Sequence, residues 1–517
     1  MVAATSFPYF VNFASAPAGS RYTWILPPYP EDSFAYMAWS QQAAHGALLF
    51  KVKYTALPQS PFLFHPLFLI CGWASRLLHC NLGVVHFAVK EIGVVLFFLV
   101  FYKYLDYLGL TALQSAVAMV LVSISSGLGG PLAWLGWYGK TPNLPADLWM
   151  PEVSTYWSLL WNPLFPYSLL LMVLAIYYLD RGTREERKAD LWRAGLAAGV
   201  LALVHPYSQP LLLAFAVVVI AARRRMAGLG YLLRYLIALA PFAGYIFLLS
   251  ILQPVVAQHS SQGTMDTPPI GWCLTAFAPP LLMWAAGSWI EGGRWMKRYW
   301  QVVLWFVLSL SLAYFPFWFQ RKLIFGAHIP VCILAAVSCG LLWERFADQK
   351  AARWLLASAA VVLLPILLAT PIYVLSILNK EVQRDPATYY ISNDMENGLK
   401  FLKQHTQPDE IVLATLPTSR IIPAFAGNTV LWGHWAMSVD SKARNDWSYD
   451  LMDRPQEWKD ESRARKFWGA GIEYIFADGI LKQGIADYPW QWGVILKHAD
   501  EVFHNGSVVI YKHREGP

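Results

Sequence analysis

The segment Pro30-Glu31-Asp32-Ser33-Phe34-Ala35-Tyr36 sets two carboxylates side by side, with an aromatic hydroxyl four residues beyond Asp32 and polar residues following through Gln41 and His45 to Gly46. A carboxylate held at the mouth of a membrane cavity gains proton affinity and can act as general base toward an acceptor hydroxyl. The plainer alternative is a solvated turn in which Asp32 caps the helix that follows. Further along, Pro145-Ala146-Asp147-Leu148-Trp149-Met150-Pro151-Glu152 supplies a second pair of carboxylates amid Trp134, Trp137, Tyr138, Trp149, Tyr156, Trp157 and Trp161. Such aromatics mostly form an interfacial belt, although sugar rings stack on the same faces. Asp147 and Glu152 are more informative, because with Asp32 they could hold a divalent cation through oxygen ligands. His205-Pro206-Tyr207-Ser208-Gln209-Pro210 interrupts an apolar region; a break of this kind either frees backbone groups to line a cavity or is a simple tight turn. Lys90 and Glu91 sit inside another apolar run, where charge is costly and is functional or paired, unless Lys90 snorkels to the surface.

The elements that must position these residues are membrane helices. Of 517 residues 56% are hydrophobic and 14% charged, which is too much apolar surface for one soluble globule. Apolar runs lie at about 83–105, 111–128, 165–180, 192–205, 210–222, 230–252, 271–290, 300–318, 323–343 and 351–378, and a span needs roughly 20 such residues, so about ten crossings are expected. Four basic connections separate them: Arg181 to Arg193, Arg223-Arg224-Arg225, Arg294 to Arg298, and Glu344 to Arg353 with Arg345 and Lys350. The positive-inside rule sends these four to the cytoplasm. The connections 129–164, 206–209 and 253–270, the first 82 residues and everything after Asn379 then face outward. Pro61 to His79 is accordingly expected as an interfacial or re-entrant helix rather than a crossing. Met1 to Ala18 is too short and polar for a full span and lacks the basic start of a secretory signal; the expectation is a start placed late, short of a first helix.

The net charge of +7 resides largely in these short connections, so no nucleic-acid patch is read. Cys71, Cys80, Cys273, Cys332 and Cys339 stand singly, without the spacing of a zinc site or a disulfide framework. From about Val382 the pattern alternates: an amphipathic helix at Asn393 to His405, and strands at Ile411 to Ala414, Thr429 to Trp432, Ile472 to Ala477 and Ser507 to Tyr511, the last entered through an Asn505-Gly506 turn. The expected organisation is a membrane domain over 1–380, with outer loops at about 19–82 and 129–164, and a soluble extracytoplasmic α/β domain over 381–517. That domain shows no glycine-rich phosphate loop or catalytic triad, and its plain role is a cap on the outer face.

Gln320-Arg321-Lys322 breaks the orientation rule, placing two cations at an outer helix boundary. They need a partner. A lipid-linked phosphate would supply one, with bidentate donors from Arg321 and a point charge from Lys322; an acidic side chain or anionic headgroup would serve as well. His328 follows on the same predicted helix.

An acidic residue four before a tyrosine in the first outer loop, juxtamembrane helices after it, an acidic second outer loop and a terminal outer domain together resemble the GT-C superfamily of integral-membrane glycosyltransferases, of the protein mannosyltransferase and aminoarabinose transferase kind. The resemblance covers the whole membrane part. It implies an α-helical multi-pass fold of about 10–11 spans, a polyprenyl-phosphate-linked sugar donor, a lipid, glycan or protein acceptor, and inverting transfer on the outer side of the cell membrane with Asp32 as base. Metal dependence varies within the superfamily; a divalent cation, if used, would fall to Asp32, Asp147 and Glu152. Glu31 stands directly before Asp32, so the base is one of the two, and Tyr36, Asp147, Glu152, His205, His328, Lys90, Arg321 and Lys322 are the candidate substrate contacts. The rival readings are a transporter, a non-catalytic assembly subunit, and a glycan polymerase or phosphoryl-lipid transferase. A transporter should hold its polar groups near midplane and show two related halves; no internal repeat is visible here.

Overall fold

The computed structural model describes residues 1–137, 144–258, 264–346, 348–440, 442–443, 446 and 461–514. Tyr138 and parts of the expected connections 129–164 and 253–270 lie outside them. Two compact units emerge: Met1–Pro8, Ala88–Phe247 and Thr264–Lys380 form one, and Tyr9–Phe87, Leu248–Gly263 and Glu381–Pro517 the other.

All ten apolar runs fold as helices. Among the described residues six segments are long and apolar enough to cross a membrane: Leu82–Leu108, Leu164–Arg184, Pro206–Arg224, Gly228–Leu252, Gln320–Arg345 and Lys350–Arg384. The run expected at 271–290 is Ile270–Ala276 and Ala278–Glu291, bent by 81° and counting as a seventh span if taken together. Pro279 and Pro280 open its second part, where their missing N–H groups break the helical ladder. Ala112–Ile124 and Trp300–Leu312 have 13 residues each and Lys188–Val204 has 17, so they reach only ~20–25 Å against a hydrocarbon thickness of ~30 Å. Local chemistry fixes the ends. Thr111 and Gln114 close a reciprocal capping box at the start of Ala112–Ile124. At a basic connection, Arg181 and Arg193 both pair with the buried Asp190, at 2.6 and 2.7 Å.

In the other unit, strand β1 (Ser20–Tyr22) pairs antiparallel with β2 (Tyr390–Ser392). A five-stranded sheet runs in the order β4 (Thr429–Val430), β3 (Ile411–Leu413), β5 (Ile472–Ala477), β7 (Val509–His513), β6 (Ala499–His504). β3 is parallel to β4 and β5, whereas β7 is antiparallel to β5 and β6. The four expected strands are therefore present, and the helix Asn393–His405 starts on a Ser392 cap that accepts from Met395 N at 3.2 Å. The strands β1, β2 and β6 were not expected. The core beneath the sheet is built on Leu413, Phe467, Ile475 and Trp492.

Helix Pro30–Ala44, which carries the acidic pair, lies against helix Pro66–Leu78. The two approach so closely at Gly72 that a Cβ there would stand 2.3 Å from Ser40 O. Pro66–Leu78 has 13 residues, buries Leu67, Phe68 and Cys71, and leaves Ile70, Trp73, Leu77 and Leu78 exposed. It is a one-sided apolar helix of the same length as Ala112–Ile124 and Trp300–Leu312.

Candidate functional site

The acidic segment begins its helix after Tyr29, which sits at φ 59°, a strained left-handed conformation for a residue with a side chain. Pro30 takes the first helical position and Glu31 and Asp32 lie in the first turn, at the positive end of the helix. Asp32 is not the cap. Its Oδ1 instead meets His434 Nε2 at 3.1 Å. The backbone N–H groups of Ala436 and Met437 both donate to His434 Nδ1, at 3.1 and 3.2 Å. That nitrogen must be an acceptor, so the ring proton is on Nε2 and is donated to Asp32. A turn holds the imidazole in place: Gly433 N and His434 N donate to Ser438 Oγ, and Ser438 N donates to His434 O. His434 is buried, with 1% of its side chain exposed, whereas Asp32 keeps 26%. The arrangement is an oriented carboxylate with one oxygen fixed from behind and one face open. Glu31 is half-buried and makes no ion pair among the described residues. Tyr36 stacks on Phe68 with centroids 4.7 Å apart.

His434 was not among the expected site residues. A signal existed: it follows the predicted strand at Thr429, and in α/β sheets binding residues collect beyond the carboxyl ends of parallel strands.

In the helical unit, the two cations that violate the orientation rule find a protein partner. Lys322 Nζ stands 2.5 Å from Glu152 Oε1, and both side chains are withdrawn from solvent, with 15% and 1% exposed. Burial pushes the Glu152 carboxyl up, but Lys322 and Arg321 overcome it and hold the group at about 2. Arg321 lies over the Trp149 ring at 5.3 Å. Its Nε and Glu152 Oε2 are both buried without a hydrogen-bond partner. Two cations thus share one carboxylate, and one positive charge is in surplus.

Asp147, in the turn Ala146–Leu148, is fully buried. Its Oδ2 accepts from Gly129 N at 3.1 Å and Thr370 Oγ1 at 3.0 Å. Oδ1 has no partner. A Cβ on Gly129 would come within 2.5 Å of that oxygen, so glycine is what admits the carboxylate here. Burial, partly offset by these hydrogen bonds, raises Asp147 to about 6. Among the described residues no three His, Cys, Asp or Glu side chains gather as a metal site. Glu152 already has its countercharge, so it does not fit the role of a free oxygen ligand.

The remaining candidates have partners within the protein. His328 is 1% exposed and uses both ring nitrogens on Ser125 Oγ and Thr155 Oγ1, each at 3.0 Å. It opens the helix His328–Arg345, whereas Arg321 and Lys322 sit on the separate short turn Gln320–Ile324. Lys90 does not snorkel: it is fully buried, 2.6 Å from Glu91 and within reach of Thr5 O. Glu91 also accepts from Thr5 and Ser6. His205 is buried with its Nδ1 on Ser208 Oγ at 2.9 Å, Ser208 N bonds back to His205 O, and Gln209 reaches Ala198 O. The break at 205–210 is therefore a tight turn closed by its own bonds. Its ring packs on Phe325 at 4.9 Å.

No protein-family model and no curated protein sequence matches the chain. Solved structures do resemble it. The chain aligns over 99% of its length with 40% of the arabinofuranosyltransferase AftD from Mycobacteria, at 14% identity and a TM-score of 0.57. It aligns over its whole length with 98% of ArnT from Cupriavidus metallidurans, solved with undecaprenyl phosphate, at 12% identity and a TM-score of 0.51. A third match is the Archaeoglobus fulgidus oligosaccharyltransferase tethered to an acceptor peptide, at 12% identity and a TM-score of 0.52, covering 99% of this chain and 74% of that one. The chain has the fold of the GT-C glycosyltransferases, an α-helical multi-pass membrane architecture with an added α/β part.

Proposed function

We propose that this chain is a membrane glycosyltransferase that moves a sugar from a polyprenyl-phosphate carrier to an acceptor hydroxyl. The observation that carries the reading is Asp32, a partly exposed carboxylate in the first turn of a helix, fixed through Oδ1 by the buried His434. Asp32 takes the acceptor proton while the acceptor oxygen bonds to the anomeric carbon and the bond from that carbon to the phosphate oxygen breaks. Configuration inverts, the polyprenyl phosphate leaves, and the proton remains on Asp32. The surplus positive charge of Arg321 and Lys322 against Glu152 suits a phosphate ligand in the helical unit. Asp32 and Arg321 belong to different compact units, and each role is tested by itself. The fold is shared with a protein solved with undecaprenyl phosphate and one solved with an acceptor peptide, which supports a lipid-linked donor and a separate acceptor.

Mass spectrometry of lipid co-purified with the protein tests the donor class. A polyprenyl phosphate or its sugar conjugate is expected, enriched in the Asp32→Asn variant, where turnover is blocked. Purified protein carrying only bulk phospholipid, and showing no consumption of an added polyprenyl-phosphate sugar, would remove this reading.

A further inference from the structure

The unit formed with the C-terminal part contains a cavity of about 230 Å³ that the proposed chemistry does not use. Arg21, Lys400 and Lys403 line it, with Glu396, Thr23 and Gln41. Glu396 Oε1 lies 3.1 Å from both Arg21 and Lys400, and Lys403 makes no ion pair among the described residues. The lining thus carries three cations against one carboxylate, which two of them contact. Thr23 and Gln41, 2% and 6% exposed, are the buried polar residues of its lining. The volume exceeds a bare phosphate and suits one carried on a small polyol. Leu82, first residue of the membrane-length helix Leu82–Leu108, also lines the cavity, which sets it at the headgroup end of that helix.

We infer that this cavity binds a phosphate ester on a small polyol, supplied by an anionic lipid headgroup or by a free sugar phosphate. The inference does not rest on the transfer reaction, and binding at the cavity is unaffected by Asp32→Asn. Titration calorimetry of the detergent-solubilised protein with dihexanoylphosphatidylglycerol and, separately, with glucose 1-phosphate tests it, with glucose as the uncharged control. Binding of at least one phosphate probe is expected, and the lipid alone, the sugar alone or both names the source. Lys400→Ala/Lys403→Ala, two exposed changes, should weaken it at least about 10-fold, and Lys403→Gln about 3-fold, as loss of charge-assisted contacts implies. The inference is overturned if neither probe binds more tightly than glucose, or if the double variant, folded by its melting temperature, binds as the parent does.

Discussion

His434 Nε2 donates to Asp32 Oδ1 at 3.1 Å although 402 residues separate the two in the chain. The buried imidazole orients a carboxylate it cannot replace. Asp32→Asn should therefore lower turnover by at least about 100-fold, the range for losing a general base, with Glu31→Gln costing less. His434→Ala should lower kcat about 10-fold at nearly constant KM, and His434→Gln, which can still donate, should recover most of it. The double variant should be no worse than Asp32→Asn alone. A loss confined to KM, or Gln no better than Ala, would assign His434 to packing.

Arg321 has the donor phosphate as its expected partner, because its Nε is buried without one. Removing a charge-assisted contact in a water-poor site costs about 1.5–3 kcal/mol, so Arg321→Ala should weaken polyprenyl-phosphate binding roughly 10- to 100-fold. Arg321→Lys should recover only part, since the planar fork is lost. Unchanged affinity in nanodiscs, with the fold intact, would clear the turn Gln320–Ile324 of a phosphate role.

Glu152 contributes stability through its ion pair. Its folded value of about 2 lies below the ordinary 4.5, so the contribution is complete above pH 4.5 and is lost as pH falls toward 2. Glu152→Gln leaves Lys322 buried without its countercharge and should destabilise by on the order of 3 kcal/mol at pH 7. Glu152→Gln/Lys322→Met should recover much of that in a thermal melt; a double variant as unstable as the single one would contradict the pairing.

Asp147 works in the opposite sense. Its folded value of about 6 lies above the ordinary 3.8, so its stabilising effect is present below pH 3.8 and lost as pH rises through 6. Asp147→Asn should raise the melting temperature at pH 7.5, and the gain should shrink toward pH 4.5. A gain independent of pH would show that the carboxyl does not titrate in this range.

Orientation can be read by labelling. In a background without the native cysteines, Gln407→Cys should react with an impermeant thiol reagent on intact cells and Arg187→Cys should not, because 187 lies in a basic connection and 407 in the terminal α/β part. Labelling at 187 alone would invert the assignment, and labelling at both would put the two segments on one side and overturn it.

Apolar runs and turn residues made much of this architecture legible. Each expected helix from Leu82 to Arg384 is present because hydrophobicity acts locally, and the strands Ile411–Leu413 and Ile472–Ala477 were visible as short β-branched and aromatic runs. Pairings between distant segments were not. Strand β1 is three residues long and becomes a strand only against β2, and β6 carries polar residues that mask its alternation. The same limit hid His434 and the Glu152 partnership of Lys322, which depend on tertiary approach. Arg321 and Lys322 were found by their breach of a rule, and the carboxylate that answers them lies in a loop more than 160 positions earlier.

The pairing of Ser20–Tyr22 with Tyr390–Ser392 also bears on how the protein is made. Ribosomes deliver chain in order, so β1 and the acidic helix emerge early, while β2 and His434 follow only after the membrane-length helices. The carboxylate cannot be fully oriented until the membrane helices have been threaded and the last segment delivered. A nascent or prematurely stopped chain would thus carry Asp32 without the hydrogen bond that fixes it.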